Sequence, residues 1–124
     1  AIKRIHPQRL IGMGYRLGAI PAVHGMGDCL SLACAVLTWY GIDVPMPQRE
    51  WYRRLKRGDR SVFPEQLALW GQSTDIARIG TIGLTPTGLT VFYEDGWLYY
   101  SPEERVTWMP LGFLTEAELY CPRK

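Results

Sequence analysis

The chain has 124 residues, 47% of them hydrophobic and 21% charged, with a formal net charge of +2. That length suits one domain, residues 1–124, which can bury roughly two-thirds of its unfolded surface without a disulfide or a metal. The composition excludes a disordered or low-complexity chain. The longest nearly apolar run, Cys29 to Tyr40, is too short for a bilayer, and the N-terminal stretch carries an Arg or Lys every few residues. No signal peptide, transmembrane segment or membrane partner is therefore expected.

Residues 1–27 are rich in Gly and Pro and read as an arm and loop, tacked to the core by Leu10, Ile11, Tyr15 and Leu17. The stretch "HGMGDCLSLACAVLTWYG" follows. Its apolar part is hydrophobic almost all round, the mark of a buried helix. Asp28 is placed to cap its start and Gly41 to stop it. After the turn "GIDVPMP", a second helix is expected from Pro47, a favoured first position. In it Trp51 and Leu55 form an inward edge, while Arg49, Arg53 and Arg57 recur every four residues as an outward basic stripe. A third helix fits Pro64 to Gly71 and completes a helical part, 28–71.

From Thr74 the pattern changes to β-formers with period two. "ARIGTIGL" reads as a strand. "LTVFYEDGWLYY" reads as a hairpin whose two-residue turn is Asp95-Gly96. "ERVTWMP" reads as another strand and "GFLTEAELYC" as a final strand or helix. Helices first and an antiparallel sheet over 74–124 make an α+β plan, with the buried helix across one sheet face.

Charge divides along the chain. Residues 1–72 hold 10 Lys/Arg against 5 Asp/Glu, and residues 73–124 hold 4 against 7. This suggests two faces. The stripe Arg49, Arg53, Arg57, with Lys56 and Arg60, lacks an aromatic platform or nucleic-acid motif, so a solvated or protein-binding face is expected and nucleic acid is not. Trp97, Tyr99, Trp108 and Tyr120 load the hairpin and its neighbours with aromatics. If both sheet faces carry them, another chain should cover one, making Trp97 and Tyr99 interface candidates. "GTIGLTPTG" lacks the ending of a phosphate-binding loop. No cofactor is implied.

The three cysteines, Cys29, Cys34 and Cys121, cannot all pair, and they lack zinc-ligand spacing, so no metal site is expected. Cys29 falls in the first turn of the buried helix, where free N–H groups favour a thiolate. A nucleophilic thiol also needs a base, most often His. The two histidines, His6 and His24, both precede Cys29.

The segment "LIGMGYRLGAIPAVHGMGDCLSLACAVLTWYGIDVP" resembles the opening of NlpC-type cysteine peptidases, above all the short forms encoded with phage tail genes. Tyr15, Gly18, Asp28, Cys29, Gly41, Ile42 and Pro45 match that family in order and spacing. The resemblance implies a papain-like NlpC-type fold, with a Cys-bearing helix packed on a small antiparallel sheet. It also implies cleavage of peptidoglycan peptides by Cys29, with a His base on an early strand and a polar third residue on the next. Here the sequence departs from the pattern. Aligned on Asp95-Gly96, the base position holds Gly88 and the third position Tyr100. Tyr15 has a family counterpart near the nucleophile.

The reading that follows is a non-catalytic, NlpC-like structural component of a phage tail tip, hub or baseplate. It would be assembled in the host cytoplasm and located in the virion, among other tail proteins, with peptidoglycan a further candidate partner. The alternative is an active peptidoglycan endopeptidase using Cys29 with an unconventional base such as His24. A third reading is a small binding protein or inhibitor on the same scaffold.

Overall fold

Helix α2, Cys29–Trp39, organises the molecule, and its boundaries follow from its ends. Asp28 is extended (φ −128°), and its Oδ1 accepts the Ser31 N–H at 2.9 Å while Ser31 Oγ accepts the Asp28 N–H at 2.8 Å. This reciprocal box satisfies two of the donors that every helix start leaves free. At the other end Gly41 takes φ +76°, and the Ile42 N–H closes back on the Leu37 carbonyl. A left-handed residue of this kind is the common helix stop. The computed structural model from which these features come describes residues 4–44 and 47–123.

In chain order the other elements are β1 (Gly14–Tyr15), α1 (Pro21–His24), β2 (Met26–Gly27), α3 (Arg49–Lys56), α4 (Val62–Trp70), β3 (Gly71–Thr74), β4 (Ile82–Thr85), β5 (Gly88–Tyr93), β6 (Gly96–Tyr100), β7 (Val106–Pro110) and β8 (Glu118–Pro122). Six strands form an antiparallel sheet in the order β3-β8-β4-β5-β6-β7, and β1 and β2 form a small parallel pair. The fold is α+β. Helix α2 lies on the β5 side of the sheet. Leu30, Ala33, Val36 and Leu37 share a core with Leu89, Val91, Tyr93, Leu98 and Val106. Each large aliphatic side chain buried there contributes roughly 1.5–3 kcal/mol. Among the described residues no helix is long and apolar enough to cross a membrane.

Several expectations shift. Helix α3 starts two residues after Pro47 and α4 starts two residues before Pro64. Pro64 is tolerated because it lies in the first turn of α4, where its missing N–H has no helical partner. The strand expected over 77–84 shrinks to β4. Gly80 (φ +98°) and Thr81, whose Oγ1 accepts the Arg78 N–H at 3.1 Å, fold the preceding residues into a loop. Gly71, expected as the last residue of the third helix, caps α4 and begins the extra strand β3. The C-terminal segment resolves into a short 3-10 turn, Leu111–Phe113, and strand β8. The arm is more regular than a loop: it carries a 3-10 turn at Pro7–Leu10, the β1–β2 pair and α1.

The hairpin turn is displaced by one residue. Glu94 (φ +50°) and Asp95 (φ +53°) are its two turn residues, and Gly96 already pairs with Tyr93. A Cβ at Gly96 would stand 2.3 Å from the Met109 carbonyl oxygen and 2.5 Å from the Trp108 ring. The glycine serves packing against β7.

Trp97, expected at an interface, is buried within the chain itself. It is 2% exposed and meets Phe92 edge-on at 5.9 Å. The chain covers this second sheet face itself. The turn Leu111–Phe113 lies against β6, and Leu114 and Leu119 reach the space left by the missing side chain of Gly83. Tyr99 stays half-buried.

Candidate functional site

Cys29 opens α2, and its half-buried side chain borders two cavities. One, of about 290 Å³, runs past Thr85, Thr87, Gly88 and Tyr99 toward Phe113 and Glu116. The other, of about 190 Å³, is walled by Tyr15, Asp28, Arg60, Phe63 and Tyr100. Thr87, Tyr100 and Cys29 border both.

The structure brings four of the sequence-predicted site residues together. Gly88 has φ +145°, and a Cβ on it would lie 3.4 Å from Cys29 Sγ. Tyr15 and Tyr100 meet edge-on with ring centroids 5.3 Å apart. The Tyr100 hydroxyl donates to the Gly14 carbonyl at 3.1 Å. Burial raises the pKa of both phenols, and the nearby Asp28 and Cys29 add to the rise.

His24 lies elsewhere. It is exposed at the end of α1, its Nδ1 accepts the Ile20 N–H at 2.9 Å, and it borders neither cavity that Cys29 borders. His6 is equally occupied: its Nδ1 accepts the Gln8 N–H, and its ring lies 4.7 Å from that of Trp39. Pro45 falls outside the described residues.

The electrostatics oppose the helix-start effect. Burial pushes the Cys29 thiol up to about 11 from its ordinary 9.0. The Leu89 N–H, which bonds the sulfur, and the Arg60 charge pull it down, while the Asp28 carboxylate pushes it up. A helix start stabilises an anion, but here Asp28 has taken that role. Its Oδ2 accepts the Gly18 N–H at 2.8 Å and its Oδ1 the Ser31 N–H. Tyr52 of α3 also hydrogen-bonds the carboxylate, and burial and the Asp28 charge raise the pKa of that phenol. Burial likewise raises Cys34, to about 12.

Arg60 and Tyr52 belong to this site in ways the sequence reading missed. Arg60, grouped there with the basic stripe, stacks over Phe63 at 5.3 Å from Cζ to ring centroid. Its Nη2 comes 3.9 Å from the Cβ position at Gly88. The only sequence signal for Tyr52 was its place next to inward-facing Trp51. In the stripe itself, Arg53 and Arg57 both lie near Glu50, at 3.6 and 3.8 Å, and Arg49, like them, is exposed. Among the described residues no group of three or more His, Cys, Asp and Glu side chains could hold a metal ion.

No protein-family model, curated protein or solved structure gives a significant match to this chain.

Proposed function

We propose that this chain is a papain-like domain of the NlpC type whose cysteine centre lacks a base. It serves as a non-catalytic structural component of a phage tail tip, hub or baseplate. Its partners are other virion proteins, with peptidoglycan as a surface it meets rather than cuts. One observation carries the reading: the backbone of Gly88, with no side chain, is what faces Cys29 Sγ at the start of β5. In the resembling family a histidine is expected at that position.

The chemistry supports the same conclusion. A thiol with a pKa near 11 is almost wholly protonated at neutral pH. Peptide cleavage needs a group that removes this proton and then delivers one to the departing amine. Tyr15 and Tyr100, with raised pKa values, would release a proton only at alkaline pH. His24 cannot act without leaving the contact that closes α1. These features weigh against the active-peptidase alternative.

The test is incubation of the purified chain with peptidoglycan sacculi and with stem peptides, followed by chromatography of the products. No cleavage is expected. Release of peptides that vanishes in Cys29→Ser would overturn the reading. The structural role is tested by assembling particles with Cys29→Ala. These should be as infective as the parent, and loss of infectivity with normal assembly would make the cysteine the functional centre.

A further inference from the structure

The sheet has two edges, and they are treated differently. On the outer side of β7, the Gly12 N–H donates to the Val106 carbonyl at 2.8 Å and the Val106 N–H to the Met13 carbonyl at 3.0 Å. Gly14 bridges to Arg105, and the strand ends at Pro110. An arm laid along the strand and a proline are ordinary ways of blunting an edge. Strand β3 has neither. Among the described residues it pairs only with β8, and Gln72, Ser73 and Thr74 carry no charge.

Both flanks of β3 are apolar and open. Leu69, near the end of α4, is 75% exposed, and Ile76 and Ile79, in the loop after β3, are 63% and 56% exposed. Each flank also carries charged groups. Beside Leu69, Arg123 Nη2 donates to the Ala68 carbonyl at 2.7 Å. On the other flank exposed Asp75 precedes Ile76, and Arg78, also exposed, has its guanidinium turned toward Cys121 Sγ at 3.9 Å.

We propose that β3 is a self-association edge, along which two copies of this chain pair antiparallel about a two-fold axis through the Gln72–Ser73 region. A strand edge is complementary to itself in this arrangement, and a two-fold contact uses the same patch twice. The flanks identify the occupant as a second copy. Antiparallel pairing sets the α4 end of one copy against the 75–79 loop of the other. Leu69 then meets the isoleucine flank, and Arg123 meets Asp75, once on each side of the axis. A foreign strand would satisfy the backbone groups but would have to supply both matching flanks. The surface shares no residue with either cavity bordering Cys29, so its failure and the failure of the non-catalytic reading are separate events.

The experiment is sedimentation velocity of the full chain over a concentration series reaching about 200 μM, a range that detects weak dimers. A monomer–dimer equilibrium is expected. Leu69→Glu and Ile76→Glu should each weaken it roughly tenfold or more. Both positions are exposed, so far-UV circular dichroism should stay unchanged. Asp75→Arg and Arg123→Glu should each weaken it as well, and the double exchange should restore it. Three results would overturn the proposal: a chain that stays monomeric throughout, a dimer indifferent to all four substitutions, or a double exchange no better than its parts.

Discussion

The β5–β6 hairpin has a filled end and an open end, each built on a glycine. At the turn, Gly96 is pressed by the Met109 carbonyl and the Trp108 ring, whose Nε1 donates to the Tyr93 carbonyl at 2.9 Å. At the opposite end, Gly88 faces Cys29 with space for a Cβ at ordinary contact distance, and cavities open on both sides of the thiol. The first glycine is required because its surroundings are full. The second is held by backbone conformation, φ +145°, while its surroundings are not full. The same residue type therefore marks packing at one end and an unfilled position at the other.

The contrast is sharpest in stability. Gly96→Ala should be the most damaging change at the hairpin, because a rigid carbonyl at 2.3 Å cannot yield without parting β6 from β7. Overpacking of this kind costs about 3 kcal/mol or more. Gly88→Ala should cost less, about 1–2 kcal/mol, from the unfavourable φ alone. Urea denaturation of the two variants measures the difference, and equal losses would erase the distinction. The same strain makes Gly88→His a poor restoration of a base, since the local backbone suits glycine.

A smaller effect is expected from Tyr100→Phe. The hydroxyl at the open end ties β6 to Gly14 of the arm. Its loss should cost roughly 1 kcal/mol and leave the Gly14 carbonyl without this partner. If the open end is an unfilled site and not a second core, this variant should unfold at only slightly lower urea. A loss as large as that of Gly96→Ala would mean that the cavities are closed in solution.

What the sequence disclosed depended on range. Helix α2 was legible because its signals are local: Asp28 before it, Gly41 after it and an apolar run between. The position of Cys29 followed directly. The hairpin was legible as an element, but its turn was not, because Gly96 answers to Trp108 and Met109, residues on another strand. Strand β3, "GQST", has little intrinsic preference for a strand and exists through pairing with β8. Trp97 looked like an anchor for a partner because nothing in "GFLTEAEL" announced that the same chain would turn back over that face. The network around Asp28 draws on Gly18, Ser31 and Tyr52, from three segments, and only its capping half has a local pattern.

The least disruptive test leaves the fold intact and asks whether the open end is chemically inert. With a folded-state value near 11 against an ordinary 9.0, the Cys29 thiol is a protonated group that burial keeps protonated. At pH 7 only about one molecule in ten thousand would carry the thiolate. Alkylation by iodoacetamide, resolved by residue with mass spectrometry, should therefore rise with a midpoint well above that of the unfolded chain. The linkage has a definite sign. Because folding raises this pKa, the native state binds the proton more tightly, and the stability this confers is complete below pH 9. It is lost as pH climbs through 11, with a slope of at most about 1.4 kcal/mol per pH unit. Cys29→Ala should lessen that alkaline decline, while the parts due to Cys34, whose thiol is raised to about 12, and to the raised phenols of Tyr15, Tyr52 and Tyr100 persist. An alkylation midpoint below pH 8 at Cys29 would show that some group reaches the sulfur and activates it. The empty position at Gly88 would then no longer account for an inert centre.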